Sequence, residues 1–182
     1  MRLLFIILSF FLTWNLGAKN MTKEIATLAG GCFWGMEDII RSLPGVTNTT
    51  VGYTGGSIEN PTYNIVKIGT SNHAEAVEVE FDPSKISYAE LLNYFFRMHD
   101  PTTLNRQMND VGTQYRSAIF YQSENQQKTA LEMIKKEQSS GRWKNQIVTQ
   151  VVKASKFYPA EDYHQDYLKK NPNGYTCHWL RD

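Results

Sequence analysis

The 182-residue chain holds only two cysteines, Cys32 and Cys177, and they stand far apart. No Cys-x-x-Cys occurs, which excludes a zinc ribbon and a thioredoxin-type motif. His73, His99, His164 and His178 show no HExxH or other helical metal spacing, so no metal is expected. Walker A, GxGxxG and GxSxG patterns are missing too, which removes phosphate-cradling and serine-hydrolase readings. Charge of one sign is equally scarce: 19 Lys+Arg meet 18 Asp+Glu for a net charge of +1. That balance lacks the basic footprint of a nucleic-acid partner. There is no internal repeat, low-complexity stretch or interdomain linker.

What is present is a length that fits about one domain. Such a chain buries roughly two thirds of the surface it exposes when unfolded, so staples are not needed for folding. An aromatic content of 13% and the lack of long like-charge runs exclude disorder. Residues 1–18 are of another class. Arg2 precedes an apolar run from Leu3 to Leu12, interrupted by Ser9, and small residues follow at Gly17-Ala18. This pattern is that of a secretory signal, with the mature domain at 19–182 and export to a periplasm or the exterior. The run is shorter than the ~20 residues of a membrane span, so no stable span is expected after cleavage. A start at Met21 would instead open a cytoplasmic chain.

Along the mature chain, Glu24 to Ala29 reads as a strand broken by Gly30-Gly31. Phe33 to Ser42 has helical apolar spacing and stops at Pro44-Gly45. Val46 to Tyr53 reads as a strand, and Tyr63 to Ile68 as a turn or two of helix. His73 to Phe81 alternates, with His73, Glu75, Val77, Val79 and Phe81 on one face and Ala74, Ala76, Glu78 and Glu80 on the other. Ser87 opens a helix with a Ser87/Glu90 capping box. Pro101 to Gly112 reads as a polar loop, Tyr115 to Tyr121 as a strand, Glu124 to Ser140 as an amphipathic helix and Ile147 to Ala154 as a strand. Glu161 to Lys170 reads as a short polar helix, and Asn171 to Asp182 as a flexible Pro/Gly-punctuated tail carrying Cys177. Strands and helices mix without strict βαβ alternation. The expected class is α+β, one domain with helices packed on a mixed sheet in two layers around a ferredoxin-like core, plus an irregular tail.

Cys32 falls at a helix N-terminus after a glycine turn. Free N–H groups and the helix dipole favour an anion there and lower a thiol pKa, whereas Phe33 and Trp34 oppose this if they desolvate the sulfur. In an exported chain a cysteine pair also fits a structural disulfide, and both readings stand on these residues alone. Glu75, on an apolar strand face, either reaches solvent at the strand end or is buried with a raised pKa. In the second case it is suited to general-acid work beside a thiolate. Tyr53, Tyr63 and Tyr115 lie near polar or glycine-rich loops and are candidate hydroxyl donors or half-buried core residues.

GCFWG at Gly31 to Gly35 resembles the active-site signature of the type A peptide methionine sulfoxide reductases. The resemblance continues through GYTGG (Gly52 to Gly56), NPTY (Asn60 to Tyr63), HAEAVEVEFDP (His73 to Pro83), NDVGTQYRSAIF (Asn109 to Phe120), FYPAEDYHQDYL (Phe157 to Leu168) and NPNGY (Asn171 to Tyr175). It implies an oxidoreductase that reduces the S epimer of methionine sulfoxide, in oxidised proteins or peptides or as the free amino acid, without metal or cofactor. Cys32 is then the nucleophile and Glu75 the acid. Tyr63 and Tyr115 hold the sulfoxide oxygen, and Asp110 orients the site. Phe33 and Trp34 form the pocket for the terminal methyl group. Cys177 becomes the resolving thiol, one residue later than in many relatives because Thr176 follows Tyr175. The disulfide so formed is reduced by thioredoxin or a similar dithiol, and a monomer is expected. Two other readings use the same cysteines: a binding domain stapled by a permanent Cys32–Cys177 disulfide, and a thiol peroxidase. The GCFWG context and the apolar-face Glu75 speak against the first, and the aromatic wall has no use in the second.

Overall fold

The computed structural model describes residues 23–182; the expected leader at 1–18 lies outside them. Four strands and two helices build the centre in the order β1 (Glu24–Gly30), α1 (Phe33–Arg41), β2 (Val46–Thr54), β3 (Ala74–Phe81), α3 (Tyr88–Met98) and β6 (Ser117–Tyr121). A one-turn α2 (Tyr63–Val66) sits between β2 and β3. A small hairpin of β4 (Arg106–Gln107) and β5 (Asp110–Val111) precedes β6. The chain then adds α4 (Glu124–Ser139), β7 (Gln150–Lys153), β8 (Tyr158–Pro159) and the one-turn α5 (Tyr167–Lys170). The six-stranded sheet runs β7-β6-β1-β3-β2-β8, parallel at β6–β7 and antiparallel elsewhere. Its centre, β6-β1-β3-β2, is the split βαβ arrangement of a ferredoxin-like core, and the α+β expectation stands.

Alternation decides which residues meet the helices. Ala26 and Leu28 of β1, Val77, Val79 and Phe81 of β3 and Ile119 of β6 join Phe33, Met36 and Ile40 of α1 and Leu91, Leu92, Phe95 and Phe96 of α3 in one core. Burying each such aliphatic or aromatic side chain contributes about 1.5–3 kcal/mol before chain entropy is counted. The opposite face carries small residues, Ala29, Ala74, Ala76 and Ala118, with Phe120, and is covered at one end by Ala154 and Phe157. The Ser87–Glu90 capping box forms as read: Ser87 Oγ accepts from the Glu90 N–H at 3.2 Å, and Glu90 Oε2 accepts from the Ser87 N–H at 2.8 Å.

Smaller departures from the sequence reading are the β4–β5 hairpin within the expected loop 101–112, a strand β6 that starts after Tyr115 and a β7 confined to Gln150–Lys153; two larger ones bear on the site. Glu161 to Lys170 is a string of turns that becomes helical only at α5, because Asp166 takes a left-handed φ of 53°. The Gln165 side chain there works as a surrogate strand residue. Its amide accepts the Val51 N–H at 2.9 Å and donates to the Val51 carbonyl at 2.9 Å, along the edge of β2. Asp166 N–H also reaches buried Glu37 of α1 at 2.9 Å, which ties this segment to the helix behind the site. The second departure is the tail, which is docked rather than loose. Cys177 and His178 are each 6% exposed. Arg97 Nε donates to the Arg181 carbonyl at 2.6 Å, the Arg181 N–H returns to the Arg97 carbonyl at 3.0 Å, and the Arg181 guanidinium lies over Trp143 and Trp179. Among the described residues no helix is long and apolar enough to cross a membrane.

Candidate active site

The site forms where β1 ends and α1 begins. Gly31, at φ 108°, turns the chain so that Cys32 becomes the N-cap of α1; a Cβ there would run into the Gln107 side chain at 2.6 Å. Three successive backbone N–H groups are thereby aimed at three different groups. The Cys32 N–H points to the Cys177 sulfur, the Phe33 N–H donates to Glu75 Oε2 at 3.2 Å, and the Trp34 N–H points to the Cys32 sulfur. The helix N-terminus therefore organises both thiols and a carboxyl together.

Electrostatics at the two reactive candidates run toward neutral forms. Glu75 is 2% exposed on the helix-facing side of β3. Burial pushes its carboxyl up to about 8, against the opposing hydrogen bond from the Phe33 N–H, with Asp110 raising it further. Cys32 departs from the helix-dipole expectation. Burial, followed by the nearby Glu75, raises its thiol well above the ordinary range, and the Trp34 N–H offsets only part of this. A buried thiol beside a buried carboxylic acid is thus the resting state near neutral pH. Burial also pushes Cys177 up to about 12, helped by Asp110, whose Oδ2 accepts from the Cys177 thiol at 3.3 Å and from the Tyr175 hydroxyl at 3.1 Å.

A cavity of about 90 Å³ opens beside Cys32, lined by Phe33, Trp34, Tyr63, Glu75, Asp110, Tyr115 and Tyr175. Every candidate read from the sequence lines it except Tyr53 and Cys177, the latter touching the Cys32 backbone N–H instead. Tyr115 sits on a short 3-10 turn, Thr113–Tyr115, just before β6 rather than within a strand. Of the three cavity phenols, Tyr175 donates its hydroxyl to Asp110, while burial first and Glu75 second raise Tyr63 and Tyr115, both of which also feel Cys32. Two hydroxyl donors, a carboxylic acid and a thiol thus face one small volume with an apolar wall.

That wall has a support the sequence did not reveal. Trp34 Nε1 donates to His164 Nδ1 at 3.0 Å, and the Trp34 ring stacks on Tyr167 at 3.8 Å between centroids. The His164 ring also packs against Phe33 and Tyr63. Glu161 holds the other side: its Oε1 accepts the Tyr63 N–H and its Oε2 accepts the Tyr53 hydroxyl, each at 2.9 Å. Tyr53 is therefore a buried strut and not a cavity donor. The only signal for His164 and Glu161 was their presence in one motif block, since their partners lie about a hundred residues or more away in sequence. Among the described residues no group of three or more His, Cys, Asp or Glu is placed to hold a metal.

An α+β domain that sets a free thiol, a neutral buried acid and phenols around one cavity, with a second free thiol against the Cys32 backbone N–H, belongs to the thiol-based oxidoreductases. The family model of peptide methionine sulfoxide reductase matches residues 24–181, and the chain belongs to that family. It is similar to peptide methionine sulfoxide reductase MsrA 2 of Rhodopirellula baltica, 56% identical over 158 residues that cover 87% of this chain and 92% of that one. Among solved structures it is similar to Mxr1 of Saccharomyces cerevisiae in reduced form, with TM-score 0.82, 40% identity and coverage of 88% and 93%. It also matches Mxr1 in complex with Trx2, with TM-score 0.60, 30% identity and coverage of 88% and 91%. The chain is thus an enzyme that reduces methionine sulfoxide, and the reading as a stapled binding module falls away.

Proposed function

We propose that this enzyme reduces the S epimer of methionine sulfoxide, in oxidised proteins and peptides and as the free amino acid. Cys32 Sγ attacks the sulfoxide sulfur while Glu75 delivers its proton to the sulfoxide oxygen, without which a sulfoxide is a poor electrophile. Attack joins Cys32 Sγ to the substrate sulfur. The substrate S–O bond then breaks, and the protonated oxygen passes to the Cys32 sulfur as the transient S–S bond opens with its electron pair on the substrate. This leaves methionine and a Cys32 sulfenic acid, while the thiol proton restores Glu75. Substrate sulfur is reduced by two electrons and Cys32 sulfur is oxidised by two, one rung up the cysteine ladder. Tyr63 and Tyr115 hold the oxygen by hydrogen bonds, Phe33 and Trp34 take the methyl group, and Asp110 orients the site. Cys177 then condenses with the sulfenic acid, releasing water and leaving a Cys32–Cys177 disulfide.

The carrying observation is the convergence of thiol, acid, two phenols and aromatic wall on one 90 Å³ cavity. An oxygen directed to Glu75, a methyl directed to Trp34 and a sulfur directed to Cys32 leave one direction for the rest of the substrate. Such a site accepts one hand at sulfur, and the family resemblance supports S as that hand. A thioredoxin-like dithiol as reductant is supported by the complex of the yeast relative with Trx2. Export is supported by the leader pattern of residues 1–18; in an oxidising compartment the cysteine pair needs a dedicated reductant of this kind.

Steady-state turnover of a peptide carrying either epimer, driven by thioredoxin, tests the proposal. Turnover of the S peptide alone, abolished in Cys32→Ser, is expected. Equal turnover of both epimers contradicts the handed site, and turnover surviving Cys32→Ser contradicts the nucleophile.

A further inference from the structure

His178 follows the second cysteine directly and has no place in the chemistry above, yet its imidazole is fixed at both nitrogens. Nε2 lies 2.8 Å from the Gly30 carbonyl oxygen. A carbonyl only accepts, so Nε2 carries the hydrogen and neutral His178 presents a bare lone pair at Nδ1. That lone pair faces Cys177 Sγ at 3.5 Å. The ring is held there from several sides: its own backbone N–H is tied to Thr176 Oγ1 at 3.1 Å, and the ring packs on Gly31 and on Gly35 of α1. A Cβ at Gly35 would collide with Thr176 Oγ1 and lie 2.7 Å from His178 Nδ1. The second glycine of GCFWG is thus the seat of this imidazole.

We infer that His178 is the base of the disulfide-forming step, taking the proton of Cys177 as that thiol attacks the Cys32 sulfenic acid. The inference rests on Cys177 being the resolving thiol. In the step, the Cys177 sulfur bonds to the Cys32 sulfur and the S–O bond of the sulfenic acid breaks. The oxygen leaves as water with the proton of Glu75. The proton taken by Nδ1 passes to solvent, from which Glu75 is recharged, so the products are one disulfide and one water.

Asp110 Oδ2 also faces the Cys177 sulfur, at 3.3 Å, so two acceptors compete for one hydrogen. They differ in what they do to the thiolate. The carboxylate opposes a second negative charge beside it, and Asp110 indeed raises the Cys177 thiol. An imidazole becomes cationic on receiving the proton and pairs with the new thiolate. Asp110 therefore orients the thiol, and His178 takes its proton in the same step as the S–S bond forms, when the bonding sulfur becomes acidic. The charged and titratable groups facing the imidazole are Cys177, His99 and Arg181, with Asp110 beyond the sulfur. Burial, with Arg181 adding to it, holds His178 down to about 4, so its lone pair is free at any working pH.

The test separates two rates in one rapid-mixing experiment on reduced enzyme: methionine formed, and thiols lost. His178→Gln keeps a donor for the Gly30 carbonyl and removes the Nδ1 acceptor. Methionine formation is expected within about twofold of wild type, with disulfide formation about 10- to 100-fold slower. Disulfide formation in the wild type is expected to be level from about pH 6 to just below about 8, and to fall above it as Glu75 loses its proton. In His178→Gln it is expected to climb about tenfold per pH unit below about pH 8 as hydroxide replaces the base. His178→Asn, with a non-basic oxygen near the Nδ1 position, is expected to show the same climb. Unchanged disulfide formation in His178→Gln, or an equal fall in both rates, overturns the inference. Histidine 15N shifts of the native reduced enzyme test it without any variant: the Nε2–H tautomer with a bare Nδ1 is expected, and Nδ1–H overturns it. A wild-type enzyme that forms methionine without ever forming Cys32–Cys177 disulfide fails the resolving-thiol reading itself. A disulfide that forms at the same rate without His178 fails only this inference.

Discussion

Phe33 donates its backbone N–H to Glu75 Oε2 at 3.2 Å, joining the first turn of α1 to a carboxyl 42 residues further along. The bond aligns the acid beside the neighbouring Cys32 but does not ionise it, because burial dominates and holds Glu75 up to about 8. A carboxyl that stays protonated at neutral pH is what proton delivery to a sulfoxide oxygen requires.

Glu75→Gln keeps the acceptor for the Phe33 N–H and removes the proton. The methionine-forming step is expected to slow by about 10²–10⁴-fold, and less so with more activated sulfoxides. In the wild type the same step is expected to decline as pH rises through about 8, where the acid is lost. Rapid-quench assays across pH measure both. A Glu75→Gln enzyme at full rate contradicts the acid role.

The same residue sets a pH dependence of stability. Its folded pKa is raised above the unfolded value, so the unfolded chain ionises first. Between about 4.5 and 8 the native state holds the extra proton, and stability falls as pH rises through that window, then levels. Glu75→Gln is therefore expected to be more stable than wild type at pH 8 and to lose that advantage by about pH 4.5. Each kcal/mol corresponds to about 2–4 °C in Tm for a chain of this length. Thermal melts of both proteins at the two pH values check the sign, and a larger advantage at the acid end contradicts it.

Gly35→Ala places a methyl group against Thr176 and His178. Alanine improves helix propensity by about 1 kcal/mol, so α1 itself does not suffer and the strain falls on the docked tail. Methionine formation is expected to persist, while disulfide formation slows about tenfold or more as Cys177 leaves its seat. Paired methionine and thiol assays read this. Disulfide formation at the wild-type rate contradicts the close seating of the tail on α1.

Glu161→Ala frees the Tyr63 backbone and the Tyr53 hydroxyl at once. The buried Tyr53 hydroxyl then lacks its partner, which costs about 1–3 kcal/mol, and Tyr63 loses its position in the cavity. A lower Tm together with a reduced kcat is expected from melts and steady-state assays. A change in neither contradicts the positioning role of Glu161.

Local signals in the sequence account for β1, α1, β2, β3, α3 and α4, because each has a period or a cap of its own. Ser87 with Glu90, or the alternation from His73 to Phe81, needs no distant partner to be read. Cys32 and Glu75 were legible for the same reason, a glycine turn before a helix and a carboxyl on an apolar strand face. The direction of the Cys32 thiol was not. A helix N-terminus is visible in sequence, but the burial that outweighs it depends on the whole fold. The docked tail was hidden likewise. Pro and Gly suggest mobility, while the anchors that oppose it join His178 to Gly30 and Arg181 to Arg97, far apart in the chain. The turns of 161–170 hide behind good helix formers because Gln165 satisfies the backbone of Val51 instead of its own helix.

The most direct measurement is a single-turnover thiol count on fully reduced protein comprising residues 19–182. It is mixed, without reductant, with a peptide carrying S- or R-methionine sulfoxide, and free thiols and methionine are read together. Loss of both thiols with about one methionine per chain, for the S peptide only, is expected of a Cys32 nucleophile resolved by Cys177. Unchanged thiols and no methionine from either peptide would contradict the mechanism at its first step.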